Sequence, residues 1–204
     1  MSAPPKTVLH ASAEEAAAIR ERVRSADPAT LGPDRAHAGM AHVPGLVALL
    51  SDERVSGPIY DLPRPVTSDS VTRWVAEAQA QRLAGEGLLF VTLDESGEVA
   101  GYSKITVWPE RSSAELGGAI RADRQSRGQG GSGAAHTFGW IFETLGVRLM
   151  CLTAALDNVR SAKLIEAAGF RPMGERDSSR PDGTIRRSLY WEMTHDDWRR
   201  RHRL

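Results

Sequence analysis

The chain has 204 residues, with 26 lysines and arginines against 26 aspartates and glutamates, so its formal net charge is zero. This length fits one domain with a substantial core, and the balanced charge argues against wholesale binding of nucleic acid or of an anionic membrane surface. The single cysteine, Cys151, excludes an intramolecular disulfide and a cysteine-based zinc site. No stretch of the sequence reaches the roughly 20 apolar residues of a membrane helix. We therefore expect a soluble, cytoplasmic protein without a metal.

The first third of the chain predicts helices separated by turns. Residues 7–10 are expected to form a short first strand, and Ser12 with Glu15 has the spacing of a capping box for a helix that follows. Apolar residues between 43 and 50 suit a helix packed on a core. Three prolines between residues 56 and 65 exclude a continuous helix, so we predict an ordered loop there.

A further helix and an antiparallel hairpin are expected next. Thr67 is a suitable N-cap for a helix that ends at the glycines 85 and 87. The apolar segments at residues 88–93 and 99–108, joined by a polar turn, predict the hairpin. Residues 113–120 predict a third strand, which leads directly into a glycine-rich turn.

The rest of the chain alternates between helices and strands. Apolar residues between 134 and 145 recur at spacings of three and four, as in an amphipathic helix. Residues 147–153 predict a strand and residues 158–168 a short helix. Two more strands are expected, one beginning at Phe170 and one over residues 184–193, and a charged tail follows.

The basic, glycine-rich turn at residues 121–133 has the composition of a phosphate cradle. Its glycines allow backbone N–H groups to approach a ligand closely, and the following helix N-terminus adds partial positive charge. Arg124 and Arg127 would add charge-assisted hydrogen bonds. Residues 128–133 also satisfy the G-x-G-x-x-G pattern of a dinucleotide-binding fold, with Asp157 at a suitable distance. The polar stretch before the first glycine and the upstream hairpin fit that fold poorly, and no G-K-[ST] follows for a nucleoside-triphosphatase.

Two motifs carry a resemblance to a known family. Residues 125–130 (QSRGQG) resemble the [Q/R]-x-x-G-x-[G/A] pyrophosphate-binding signature of the GNAT (Gcn5-related) N-acetyltransferase superfamily. Residues 158–161 (NVRS) and 163–170 (KLIEAAGF) resemble a segment of its ribosomal-protein N-acetyltransferase-like branch.

The resemblance extends more diffusely over about residues 43–193. Residues 62–67 with Trp74, and residues 115–117, sit where that branch carries similar residues. Residues 1–42 depart from the family's usual start. We therefore expect an N-terminal extension, a short strand and a helix, at residues 1–42, packed on an acetyltransferase domain at residues 43–204.

The resemblance implies an α+β (mixed α/β) fold: a single GNAT-like domain whose central, splayed, mostly antiparallel sheet of about seven strands is flanked by helices. It also implies that acetyl-coenzyme A is the cofactor and that its pyrophosphate lies over the glycine-rich turn. The cofactor-binding residues expected on this basis are Arg124, Gln125, Arg127, Gly128, Gln129, Gly130, Gly131, Asn158 and Ser161.

The resemblance also suggests the groups that move protons. Family members often use a carboxylate on the strand before the turn as general base, which makes Glu115 the candidate; a strand carboxylate in a salt bridge is the alternative. Many relatives protonate the departing thiolate with a tyrosine, but the aligned residue here is Ile165. The serine of the N-x-x-S motif, Ser161, is the substitute acid implied by this branch, unless it only caps or packs its helix and solvent supplies the proton.

The acceptor is the least defined part of the prediction. In this fold it enters between the first helices and the final strands, which suggests a set of lining residues: Tyr60, Asp61, Trp74, Tyr102, Trp108 and Tyr190. Each of them could instead belong to the core. Fold analogy does not choose between a small-molecule amine and a protein N-terminus.

These inferences together predict an acetyl-coenzyme A-dependent N-acetyltransferase that works by direct transfer, because Cys151 gives no reason to expect an acyl-enzyme. The acceptor would be a primary amine of a small molecule or of a protein N-terminus, with no nucleic acid or membrane partner, and a homodimer is a candidate assembly. Two alternatives are a non-catalytic protein that binds acyl-coenzyme A and a Rossmann-type dinucleotide-binding oxidoreductase.

Overall fold

The computed structural model describes residues 4–124, 129–179 and 183–202, with side chains for all of these except 129–132 and 178–179. The α-helices in this range are α1 (Ala13–Ser25), α2 (Val43–Ser51), α3 (Glu53–Ser56), α4 (Ser68–Ala84), α5 (Gln129–Trp140), α6 (Val159–Ala167) and α7 (His195–His202). The strands are β1 (Arg35–His37), β2 (Gly87–Leu93), β3 (Val99–Trp108), β4 (Ser113–Ile120), β5 (Leu149–Ala155), β6 (Arg171–Ser179) and β7 (Ile185–Thr194). None of these helices is long and apolar enough to cross a membrane.

Helix boundaries follow the capping signals in the sequence. The Ser12 hydroxyl accepts a hydrogen bond of 3.2 Å from the Glu15 N–H at the start of α1. The Thr67 hydroxyl accepts one of 3.1 Å from the Ser70 N–H at the start of α4, and Gly85 ends that helix with a left-handed φ of 79°. Each bond satisfies a donor that the first turn of a helix leaves without a backbone partner. Both predicted helices are confirmed.

The strand predicted at residues 7–10 is wrong. This described segment has no strand pairing and bonds to side chains instead: the Thr7 N–H donates to Glu192 Oε1 at 3.0 Å, and Arg148 donates to the His10 carbonyl at 2.7 Å. The first strand of the sheet is β1, whose three residues pair with the outer edge of β2. A strand this short carries too little periodicity to be recognised in the sequence.

The strands form one sheet in the order β1-β2-β3-β4-β5-β7-β6. All neighbours are antiparallel except β4 and β5, which are parallel. The predicted fold class, a mixed α/β domain around a mostly antiparallel sheet of about seven strands, is confirmed. A Rossmann-type fold is excluded, because the sheet of that fold is mostly parallel.

Helices cover both faces of the sheet. Along β2, Leu88 and Phe90 contribute to a core with α1 and α5, whereas Leu89 and Val91 contribute to a core with α2 and α4. Successive side chains of a strand point to opposite faces, so a strand covered on both sides reads as a continuous apolar run. The sheet is therefore a middle layer, and a ligand reaches it most readily where two strands separate.

The strands β4 and β5 separate after a short paired stretch. Their register pairs begin at Ser113↔Leu149 and end at Glu115↔Cys151. Beyond that point β4 continues along β3 as far as Ile120, while β5 continues along β7 as far as Ala155. The sheet consequently opens between β4 and β5, as the splayed sheet predicted from the sequence requires.

A segment before α1, here called the N-terminal arm (residues 4–11), lies across the other half of the sheet. Lys6 Nζ donates to the carbonyls of Met173 and Glu175 at 2.8 and 3.0 Å, which ties the arm to β6. Arg111 donates to the Pro5 carbonyl at 2.9 Å. The arm and α1 thus pack on the sheet, while the division of the chain at residue 42 stays a prediction.

Candidate active site

A cleft of about 100 Å³ lies at the opening between β4 and β5. The residues around it that bear on chemistry are Tyr60, Lys104, Glu115, Thr153, Asn158 and Ser161. They come from the loop after α3, from β3, β4 and β5, and from the start of α6. The cleft therefore brings together both predicted catalytic residues, Glu115 and Ser161, with the predicted cofactor contact Asn158.

Glu115 is the buried acid of the cleft. Only 7% of the residue is exposed, and the Thr153 hydroxyl donates a hydrogen bond of 3.2 Å to its Oε1 atom. Its position follows from the sheet, because it is the last residue of β4 to pair with β5. A carboxylate in this place is shielded from bulk water yet borders an open cleft, which suits a group that accepts a proton from a bound ligand.

Cys151 lies beside Glu115 across the parallel register and is fully buried. Burial, together with the nearby charge of Glu115, raises the pKa of the Cys151 thiol well above its ordinary value. The thiolate is the nucleophilic form of cysteine. Cys151 therefore remains a neutral thiol, and its surroundings do not favour an acyl-enzyme.

Asn158 and Ser161 border the cleft together at the start of α6. The Asn158 side chain caps α6 by accepting a hydrogen bond of 3.1 Å from the Ser161 N–H. Both residues border the cleft, so the residues that cap α6 also line the cleft. One turn further along the helix, Ile165 is buried in the core rather than exposed to the cleft. Ser161 thus supplies a hydroxyl group on α6 one turn before Ile165, the position that many relatives fill with a tyrosine.

The predicted phosphate cradle is only partly covered by the structure. Gln125, Arg127 and Gly128 lie outside the described residues. The backbone of Gln129, Gly130 and Gly131 forms the first turn of α5. Backbone N–H groups in a first helical turn have no partner within the helix, so this end of α5 can receive an anion.

Asp94, which the sequence analysis did not identify, pairs with two arginines that precede that turn in the sequence. Its carboxylate lies 3.2 Å from Arg121 and 3.7 Å from Arg124. Hydrogen bonds from the Ser96 hydroxyl and from the Glu98 N–H lower the pKa of Asp94 to about 2, so it stays ionised. Asp94 thereby pairs with the predicted cofactor residue Arg124. The only feature of the sequence that points to Asp94 is the polar hairpin turn in which it lies.

The aromatic residues suggested for the acceptor site fall in different places. Tyr60 borders the cleft. Trp74 and Tyr102 pack edge to face, with ring centroids 5.4 Å apart, in the core beneath α2 and α4. Tyr190 is buried, and its hydroxyl donates to Glu192 Oε1 at 2.7 Å. Trp108 ends β3 and does not border the described part of the cleft. Burial in the core explains why Trp74 and Tyr102 do not border the cleft.

Two charged residues of the cleft were not anticipated. Lys104 on β3 forms an ion pair of 2.8 Å with Asp61, and both side chains are mostly buried. Arg186 on β7 lies over the ring of Tyr60, 4.9 Å from its centroid, and donates to the Pro58 carbonyl. These contacts join residues more than 40 positions apart in the chain. No motif or period in the sequence marks such pairs.

The fold and the cleft are those of an acyl-group transferase: an open mixed sheet with a buried carboxylate where its parallel strands separate. The family model for the acetyltransferase (GNAT) domain matches residues 37–171, more than half of the chain. The chain therefore belongs to the GNAT family of acetyltransferases, whose acyl donor is an acyl-coenzyme A. No curated protein matches its sequence significantly.

Solved structures give the same fold at low sequence identity. The ribosomal-protein-S5-alanine acetyltransferase from Vibrio fischeri has a TM-score of 0.67 at 15% identity, covering 80% of this chain and 93% of its own. RimJ from Mycobacterium smegmatis, in complex with coenzyme A disulfide, has a TM-score of 0.67 at 19% identity, with 80% and 82% covered. RimL, a ribosomal α-N-protein acetyltransferase in complex with coenzyme A, has a TM-score of 0.67 at 16% identity, with 80% and 94% covered.

Proposed function

We propose that this chain transfers an acetyl group directly from acetyl-coenzyme A to a primary amine of a small molecule or of a protein N-terminus. The observation that carries the proposal is the convergence of buried Glu115, Asn158 and Ser161 on one cleft where β4 and β5 separate. A cleft that joins a shielded base to a hydroxyl at a helix start offers both proton transfers that amide formation needs.

The chain's own residues fit the cofactor. Leu116 to Gly118 border the cleft on the edge of β4 that has left β5, so backbone groups there are available to a ligand that lies along the strand. The first turn of α5, with Gln129, Gly130 and Gly131, supplies N–H groups for the pyrophosphate, and Arg124 supplies positive charge. When bound, acetyl-coenzyme A would provide the thioester carbonyl that the amine attacks.

Glu115 and Ser161 would then handle the protons. An ammonium group does not attack a carbonyl, so the Glu115 carboxylate takes one proton from the acceptor amine, directly or through water. The Ser161 hydroxyl gives a proton to the sulfur that leaves and recovers one, through water, from the nitrogen that becomes the amide. Because Cys151 is buried and held neutral, the amine itself is the nucleophile.

The acceptor class is proposed from the cleft and from the similar structures. Tyr60 and Asp61 border the cleft beside Glu115, with Arg186 over the Tyr60 ring and Lys104 paired with Asp61, so Glu115 is the carboxylate proposed to meet the acceptor amine. Two of the similar structures are acetyltransferases of ribosomal proteins, which makes a protein N-terminus a reasonable acceptor. A small-molecule amine fits the same cleft chemistry, and a cytoplasmic location stays a prediction.

The test is release of free thiol from acetyl-coenzyme A in the presence of two acceptor panels, N-terminal peptides and small amines. Activity with one panel is expected, and Glu115→Gln should lower kcat about 100-fold or more, the usual contribution of a general base. Glu77→Gln, an exposed carboxylate on α4, is the control and should match the wild type.

Two outcomes would contradict the proposal. Tight binding of acetyl-coenzyme A without thiol release for any amine would favour a non-catalytic binding protein. Full activity in Glu115→Gln would show that another group or solvent removes the proton from the acceptor.

A further inference from the structure

We infer that Thr153 is the positioning residue for Glu115, orienting its carboxylate and favouring its ionised form; this rests on the proposed role of Glu115 as general base. The Thr153 hydroxyl donates to Glu115 Oε1 at 3.2 Å. An ionised carboxylate only accepts hydrogen bonds, so in this contact the threonine hydroxyl is the donor.

The sheet places this contact at a particular point. Backbone pairing of β4 with β5 ends at Glu115↔Cys151, and Thr153 lies two residues further along β5. Residues two apart on a strand share a face, so Thr153 and Cys151 point to the same side as the carboxylate they adjoin. The Thr153 hydroxyl therefore contacts Glu115 just beyond the last backbone pair, where the strands have begun to separate.

The neighbouring hydroxyl groups are engaged elsewhere. Tyr190 is the register partner of Thr153 on β7, but its hydroxyl donates to Glu192. The Thr7 hydroxyl also donates to Glu192. The buried carboxylates of Glu115 and Glu192 thus have different hydroxyl donors, and Thr153 is the donor to Glu115.

Threonine suits this role better than a longer polar residue. Its β-branched side chain has few rotamers, so the hydroxyl is held in place without an entropic cost on binding. A donor at fixed distance lowers the energy of the charged carboxylate and restricts its rotation. The charged and titratable groups that share the cleft or the strand register with Glu115 are Tyr60, Asp61, Lys104, Cys151 and Arg186.

The experiment compares Thr153→Val with Thr153→Ser across a pH series. Valine keeps the shape of threonine and removes the donor, so kcat should fall about tenfold, the effect of one lost hydrogen bond to a charged group. The acidic limb of the pH–rate profile should move upward by about one pH unit, because the carboxylate loses a donor to its charged form. Serine restores the donor and should restore the wild-type profile. Binding of coenzyme A to both variants, measured by calorimetry, should stay within about threefold of the wild type.

A double-mutant cycle separates this inference from the proposed function. In the Glu115→Gln background, Thr153→Val should cause little further loss, because the two residues act as one unit. An equal loss in both backgrounds, or an unchanged pH profile in Thr153→Val, would overturn the positioning role while leaving Glu115 as base. Full activity of Glu115→Gln alone would instead overturn the proposed base and the positioning role with it.

Discussion

Tyr190 donates its hydroxyl to Oε1 of the buried Glu192 at 2.7 Å, and the same oxygen accepts the Thr7 N–H at 3.0 Å. The Thr7 hydroxyl donates to the other oxygen of that carboxylate, and the Lys6 N–H donates to Tyr190 Oη at 3.2 Å. The N-terminal arm is thus fixed to β7 through the buried Glu192 carboxylate and the Tyr190 hydroxyl. Since Cys151 is the register partner of Glu192 on one side and of Glu115 on the other, this anchor lies next to the candidate active site.

Removal of one hydroxyl from this anchor should loosen the arm. Thr7→Val eliminates a donor to a buried charge and should lower the free energy of unfolding by about 1–2 kcal/mol. Thr7→Ser keeps the donor and serves as the matched control. Denaturant titrations of the three proteins measure the difference, and a valine variant as stable as the wild type would show that the contact contributes nothing.

Glu192 should make stability depend on pH in the acid range. Burial raises the pKa of this carboxyl, but hydrogen bonds from Thr7 and Tyr190 outweigh it, so the net shift is below the ordinary value of 4.5. A carboxyl whose pKa is lower in the folded state stabilises the fold above its unfolded pKa and loses that contribution as pH falls. Thermal unfolding between about pH 5 and pH 3 should therefore show a shallower decline for Glu192→Gln than for the wild type.

Other carboxyl groups with lowered pKa values, including Asp94 and Asp197, also lose a stabilising contribution as the pH falls. The difference between wild type and variant isolates the contribution of Glu192, because those groups are common to both proteins. Parallel declines in the two proteins would contradict the assignment.

Cys151 should be both unreactive and dispensable. It is fully buried with a raised thiol pKa, so maleimide or iodoacetamide at pH 8 should label it only after unfolding in guanidinium. Cys151→Ala should keep kcat within about threefold of the wild type while lowering stability by about 1 kcal/mol. Loss of thiol release in this variant, with the fold intact by circular dichroism, would point instead to a covalent acyl-enzyme.

The ion pair between Lys104 and Asp61 should affect the acceptor rather than the cofactor. Lys104→Met leaves the Asp61 carboxylate unpaired beside the cleft, which should change acceptor KM by about tenfold and leave the KM of acetyl-coenzyme A nearly constant. Steady-state kinetics with each substrate varied in turn measures both constants. Arg54→Met, which removes an exposed ion pair with Asp52, is the control. A change confined to the KM of acetyl-coenzyme A would contradict this prediction, because it would show that the ion pair affects the cofactor and not the acceptor.

The elements that could be predicted from the sequence are those fixed by local signals. The predicted bounds of β3 and β4, residues 99–108 and 113–120, agree with the structure, because alternating apolar residues and flanking turns define them. Thr67 and Gly85 likewise mark the ends of α4. The fold class followed from two short motifs that carried a family resemblance.

What the sequence could not provide depends on register and on distant contacts. Thr153 meets Glu115 only because β4 and β5 pair in one particular parallel register, and no local pattern encodes that register. Trp74 and Tyr102 were suggested as residues that line the acceptor site, but they pack in the core. An aromatic side chain fits either environment, so its sequence neighbours do not decide between them.

The brief contact between β4 and β5 also determines where the sheet is easiest to separate. It begins at Ser112, whose carbonyl accepts the N–H groups of Arg148 and Leu149 at 2.8 and 3.1 Å, and it ends three register pairs later. The sheet is therefore two antiparallel blocks joined by a narrow seam. A ligand that contacts both blocks across the opening would stabilise their association. Coenzyme A should therefore slow amide hydrogen exchange in β4 and in β5 together.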